Sequence, residues 1–161
     1  MATNATTTTA ATTTPAANVG TTSTTTPAST SGAVVGTPRR WLQLEGLAMF
    51  GAGIALFVTT GVPALLLLPL ILVPDVSAVG YLAGPRIGAF TYNLAHTWAA
   101  GVTVVGLGLA LAVPALVVAG AVLVAHTGMD RVAGYGLKYP TAFGDTHMGR
   151  VGRRPAASAA A

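Results

Sequence analysis

The chain has 161 residues, of which 52% are hydrophobic and only 7% are charged. Soluble domains carry about 25% charged residues, so this composition excludes an ordinary soluble domain and indicates an integral membrane protein. The net charge of +4 comes from basic residues that stand beside apolar runs, so we interpret them as residues that set membrane topology and expect no nucleic-acid partner. The absence of cysteine excludes disulfides and thiolate metal sites.

Residues 1–38 form the first segment, which carries no charged residue and consists mainly of Thr, Ala, Ser and Pro. It has too little aliphatic content to offset the entropy of folding, so we predict a disordered Thr-rich N-terminal tail. It also lacks the basic and apolar regions of a secretory signal peptide. We predict a second disordered tail at the other end, over residues 153–161.

Four apolar segments follow within residues 39–136, and a membrane span needs about 20 mostly apolar residues. They are Trp41–Thr60, Val62–Leu82, Ile87–Val113 and Pro114–Met129, the last with an alternative end at Val132. The connections are short, which predicts antiparallel neighbours, and Pro114 suits the first turn of a helix. The predicted fold class is therefore all-α, an integral membrane four-helix bundle.

The basic residues predict the orientation of these spans. They precede the first span, separate the second from the third, and follow the fourth: Arg39, Arg40, Arg86, Arg131, Lys138, Arg150, Arg153 and Arg154. Because cytoplasmic loops are enriched in Lys and Arg, we expect a multi-pass protein of the cell membrane with both termini in the cytoplasm.

Polar residues within the spans share a depth. Counted at ~1.5 Å per residue, they all lie in the cytoplasmic half of a hydrocarbon core ~30 Å thick. Charged groups at such depths usually face the bundle interior and pair, and His126 and Asp130 are spaced to share one helix face. We therefore expect a polar cluster inside the bundle, formed by Glu45, Asp75, Asn93, His96, His126 and Asp130.

This cluster has three interpretations, and the sequence leaves enzyme activity open. In the first interpretation the cluster is structural or binds a ligand or lipid, His126 and Asp130 form a pair, and Asp75 caps a short helix. Alternatively it binds zinc or another divalent cofactor in a membrane-embedded metal-dependent hydrolase, with ligands from His96, His126, Asp130, Asp75 or Glu45. The third interpretation is a proton or ion relay.

Residues 137–152 are too polar and glycine-rich for a continuous helix, so we expect a cytoplasmic segment on the membrane surface, with membrane lipid as partner. Gly134 or Gly136 is expected to end the last helix with a positive φ. Four residues are candidates for a surface extension of the cluster: Arg131, Lys138, Asp145 and His147. A surface tail without such a role is the alternative.

Three separated blocks carry a family resemblance: LEGLAMF (44–50), PDVSAVGYLAGPRIGAFTYNLAHTW (74–98) and AHTGMDRVAGYGLKYPTAFGDTHMGRVG (125–152). Together they resemble a family of small bacterial integral membrane proteins of unknown function, over about residues 42–152. The resemblance implies a four-helix membrane protein and no particular activity. Its polar positions correspond to Glu45, Asp75, Tyr81, Asn93, His96, His126, Asp130, Arg131, Lys138, Asp145 and His147.

Overall fold

A computed structural model describes residues 32–152, so the predicted tails fall outside it up to residue 31 and from residue 153 onward. The α-helices are α1 (Thr37–Thr59), α2 (Leu67–Leu70), α3 (Pro85–His96), α4 (Trp98–Ala110) and α5 (Pro114–Ala133). Two 3₁₀ segments, Ala64–Leu66 and Val73–Ala83, flank α2, and two short strands, β1 (Asp145–Thr146) and β2 (Gly149–Arg150), follow α5.

Three helical stretches in the described residues are long and apolar enough to cross a membrane: Thr37–Thr59, Ala64–Ala83 and Pro114–Ala133. They correspond to the first, second and fourth predicted spans, and α5 reaches the longer of its two predicted ends. Pro114 occupies the first helical turn, and Gly134 ends the helix in the left-handed region with φ 85°, as the sequence predicted.

The predicted third span, Ile87–Val113, is divided at Thr97, whose backbone is extended with φ −89° and ψ 135°. The prediction of one continuous helix is therefore wrong at this point. His96 directly precedes the break, and its Nδ1 donates to the Tyr92 carbonyl, one turn earlier, at 2.8 Å. This side-chain bond adds to the backbone bonds in the last turn of α3.

The second span is irregular because it contains prolines. Pro74 has no N–H and lies in the first turn of Val73–Ala83, an 11-residue 3₁₀ segment, whereas such segments rarely exceed 3–4 residues. The N-cap position of this segment is occupied by Leu72, and no side chain forms a hydrogen bond that caps the segment. The interpretation of Asp75 as a helix cap is therefore wrong, and its carboxylate turns instead toward two histidines.

Helix α5 packs against both α1 and α4 through small residues. A Cβ atom added to Gly53 would lie 2.5 Å from the backbone nitrogen of Ala125, and one added to Gly108 would lie 2.7 Å from that of Val117. Phe57, at 0% exposure, packs with Ala121 at the same interface. Such close approach of backbones is typical of helices that pack within membranes.

The segments at the two ends of the described chain lie together. Strands β1 and β2 form an antiparallel hairpin, a β element that the all-α prediction lacked. The Val34 N–H donates to the His147 carbonyl at 2.8 Å, and the Tyr139 hydroxyl donates to the Gly32 carbonyl at 2.7 Å. Residues 32–36, which the sequence assigned to the N-terminal tail, therefore pack against the C-terminal hairpin.

Candidate metal centre

Two buried histidines form the centre of the site. His96, the last residue of α3, is 3% exposed, and His126, on α5, is 0% exposed. Their Nε2 atoms lie 2.9 Å apart, and their rings meet edge to face. The two helices thus bring two potential ligand atoms to one point.

A backbone carbonyl orients each imidazole ring. His96 Nδ1 donates to the Tyr92 carbonyl at 2.8 Å, and His126 Nδ1 donates to the Ile71 carbonyl at 2.5 Å. The Ile71 carbonyl is free for this bond because Pro74, its 3₁₀ partner, has no N–H. Carbonyl oxygens only accept, so each Nδ1 carries a proton, and in the neutral ring each Nε2 presents a lone pair. Histidines that bind metals are commonly oriented in this way.

Two carboxylates flank the pair of Nε2 atoms. Asp75 Oδ1 lies 3.4 Å from His96 Nε2 and 3.6 Å from His126 Nε2. Asp130 Oδ2 lies 3.8 Å and 3.7 Å from the same two atoms and accepts a hydrogen bond from the Tyr92 hydroxyl at 3.1 Å. The Asp75 side chain is 50% exposed and that of Asp130 only 15%, so the site opens on the Asp75 side.

The donor atoms of Asp75, His96 and His126 all lie within 4.8 Å of one another, a group that could hold a metal ion. At a Zn–N distance of about 2.0–2.1 Å, nitrogens 2.9 Å apart subtend about 90° at the ion. Two imidazoles and one carboxylate suit Zn²⁺, Mn²⁺ or Fe²⁺ and leave coordination positions for other ligands.

A cavity of about 10 Å³ adjoins the cluster, and its walls include His96, Thr127, Asp130 and Arg131. This volume is at the lower limit for one water molecule, which also needs polar partners. Thr127 Oγ1 is buried and has no hydrogen-bond partner among residues 32–152. The Thr127 hydroxyl and the Asp130 carboxylate are suitable partners for a water molecule beside His96.

Two residues predicted for the cluster lie outside it. Glu45 is exposed on α1, and the structure does not bring it to the histidines. Asn93 instead holds the chain after α5, because its amide donates to the Lys138 carbonyl at 2.9 Å and accepts from the Lys138 N–H at 2.7 Å. Asn93 therefore fastens the C-terminal segment to α3.

Two of the predicted surface residues stabilise the hairpin. Asp145 pairs with Arg150 at 2.8 Å and accepts from the Thr141 hydroxyl at 2.7 Å. His147 Nδ1 accepts from the Leu137 N–H at 2.9 Å. Burial, with a contribution from the nearby charge of Arg131, lowers the pKa of His147. Neither Asp145 nor His147 joins the metal cluster.

Lys138, predicted to lie on the surface, is buried at 6% exposure. Its ammonium lies 4.0 Å from the centre of the Phe143 ring and 4.9 Å from that of the Tyr92 ring. Burial lowers the pKa of Lys138, and the charges of Asp130 and Asp75 oppose that shift. The sequence analysis missed Tyr92. Its ring stacks on that of His96 with centres 3.6 Å apart, and its i, i+4 spacing to His96 places both residues on one face of α3.

Residues 39–151 match the family described as Domain of unknown function (DUF4260). The chain belongs to this family. The matched region contains every member of the cluster and the hairpin, so the site is part of the DUF4260 domain itself. No curated protein and no solved structure matches the chain. The predicted resemblance to a family of unknown function is confirmed, and the chemistry of this DUF4260 domain has to be argued from its site.

Proposed function

We propose that the protein binds a divalent metal ion between Asp75, His96 and His126 and uses it for hydrolysis at the membrane surface. One observation carries this proposal. The Nε2 atoms of His96 and His126 lie 2.9 Å apart while both Nδ1 protons are donated to backbone carbonyls. Two lone pairs that face each other at this distance repel unless a cation lies between them. A divalent ion is such a cation, and Asp75 adds a negative ligand.

The surroundings of the histidines support hydrolysis as the reaction class. A divalent ion held by these residues would polarise a water molecule and make it a better nucleophile at neutral pH. Asp130 would accept the proton of that water while the oxygen attacks an ester, and would then return the proton to the leaving oxygen. The hydrogen bond from Tyr92 to Asp130 Oδ2 fixes the orientation of this carboxylate.

The proposed topology has four crossings, with the third made of α3 and α4 together. The start of α1, the end of α5 and the hairpin lie at one end of the molecule, where the Gln43 amide donates to the Val132 carbonyl at 3.1 Å. Arg39, Arg40, Arg131 and Arg150 belong to these segments, which supports the assignment of this end to the cytoplasm. Membrane lipid is the proposed partner of the apolar helices.

Metal analysis tests the proposed site. Full-length protein purified in detergent, equilibrated with Zn²⁺, Mn²⁺ or Fe²⁺ and then desalted, is expected to retain about one ion per chain, because the donors surround a single point. Elemental analysis by mass spectrometry gives the ratio. A protein that retains none of the three ions under these conditions contradicts the proposal.

A proton relay is the second candidate, because a proton shared between two imidazoles also suits an Nε2–Nε2 distance of 2.9 Å. The two candidates differ in proton flux. If the pair serves metal binding, proteoliposomes with the wild-type protein and with His126→Ala are expected to take up protons equally under an imposed pH gradient. A flux that the wild type supports and that both His126→Ala and Asp130→Ala abolish favours the relay.

A further inference from the structure

Lys138 is a largely buried residue, 6% exposed, whose ammonium has no ion pair among residues 32–152. Its ammonium lies over the rings of Phe143 and Tyr92, and the Asn93 bonds fix its backbone. The two ring faces offset part of the cost of burying this charge, but neither ring is an anion, so the ammonium can still take an anionic ligand.

A second unpartnered donor lies in the same region. The Tyr81 hydroxyl is buried and has no hydrogen-bond partner among residues 32–152. Its ring contacts the Phe143 ring, with centres 5.1 Å apart, and Phe143 is also the nearest ring to the Lys138 ammonium. The Tyr92 hydroxyl is already bonded to Asp130. Lys138 and Tyr81 thus share the Phe143 ring as a neighbour, and they offer one ammonium and one hydroxyl to an incoming acceptor.

The charges of the complete site also favour an anion. Asp75 and Asp130 together balance a divalent ion, and Lys138 then remains as an uncompensated positive charge. A ligand that fills this region has to be negative and has to offer oxygen atoms to a metal position, an ammonium and a hydroxyl at the same time. A phosphate group has this charge and enough acceptor oxygens, and lysine is a common phosphate ligand.

We infer that this site binds a phosphate group, with Lys138 and Tyr81 contacting its oxygens beside the metal ion. The inference rests on the proposed metal site and names its substrate class as phosphate esters. A phospholipid headgroup and a soluble phosphate compound share this chemistry, so the experiment uses both sources.

The test uses full-length protein in dodecyl maltoside, loaded with Mn²⁺, whose unpaired electrons shorten the ³¹P relaxation of a nearby phosphorus nucleus. Inorganic phosphate and dioleoyl phosphatidic acid are titrated separately, and dissociation constants are taken from the relaxation.

Lys138→Met is expected to weaken phosphate binding by about tenfold or more, because it removes a charged hydrogen-bond donor, and bonds of charged groups are stronger than neutral ones. Lys138→Arg keeps a charged donor and is expected to weaken binding much less. Tyr81→Phe is expected to weaken binding severalfold. Arg40→Gln is the control, since it removes the same charge at an exposed position.

The outcomes separate this inference from the metal proposal. Binding of phosphatidic acid alone identifies a lipid headgroup as the source, binding of inorganic phosphate alone identifies a soluble compound, and binding of both supports the phosphate site in general. Wild-type phosphate affinity in both Lys138→Met and Tyr81→Phe, with full Mn²⁺ content, overturns the inference and leaves the metal site intact. Protein that binds no Mn²⁺ refutes the metal site and this inference with it.

Discussion

Replacing His126 with alanine is expected to lower the affinity for Zn²⁺ or Mn²⁺ by more than about 100-fold, because even a partner that only orients a metal ligand contributes 10–100-fold. The His126 ring is 0% exposed and supplies one of the two Nε2 atoms at the centre of the site. Metal content after desalting, and the dissociation constant from competition with a chelating dye, both report this loss.

His126→Ala also removes the hydrogen bond to the Ile71 carbonyl, so a change in folding has to be separated from a loss of ligation. Asp75→Asn makes this separation, because the Asp75 side chain is 50% exposed and asparagine keeps its size. We expect weaker metal binding with unchanged helical content by circular dichroism. Glu45→Gln, which removes an exposed carboxylate from α1, is the control and is expected to retain the ion. Wild-type affinity in both His126→Ala and Asp75→Asn contradicts the proposed ligand set.

Counting residues from the basic end of each span predicted that polar residues of different spans share one level, and the structure brings Asp75, His96, His126 and Asp130 together. Depth does not report how a helix is rotated, and this is why Glu45 was included. Gly46 and Gly53 face α5, and Glu45 points about 100° away from Gly46 at 3.6 residues per turn. The seven-residue spacing of these two glycines was the sequence signal for the packed face of α1.

The C-terminal segment could not be predicted in the same way. Its short strands have no hydrophobic periodicity of their own, and the segment is held by contacts distant in sequence. The two bonds between Asn93 and the backbone of Lys138 join residues 45 positions apart, and local pattern gives no account of such pairs. The break at Thr97 was missed because neither Pro nor Gly marks it in the sequence.

Gly53→Ala is expected to be less stable than Gly51→Ala by about 1–3 kcal/mol, the usual cost of adding a methyl group to a packed contact. A Cβ atom at Gly53 would lie 2.5 Å, 2.7 Å and 2.8 Å from the nitrogen, Cα and Cβ of Ala125. Since the first two belong to the backbone, α1 and α5 have to move apart. A Cβ atom at Gly51 meets nothing within 4 Å, so this variant is the matched control.

Both variants replace glycine with alanine in the same helix, so both gain the helix propensity of alanine, about 1 kcal/mol, and the difference between them reports the contact with α5. Unfolding by sodium dodecyl sulfate in mixed micelles, followed by circular dichroism, measures this difference, and equal midpoints contradict the close packing. None of the proposed ligands belongs to α1, because Asp75, His96 and His126 come from the 3₁₀ segment, α3 and α5. Folded Gly53→Ala is therefore expected to keep its metal ion while losing stability, the reverse of the expectation for Asp75→Asn.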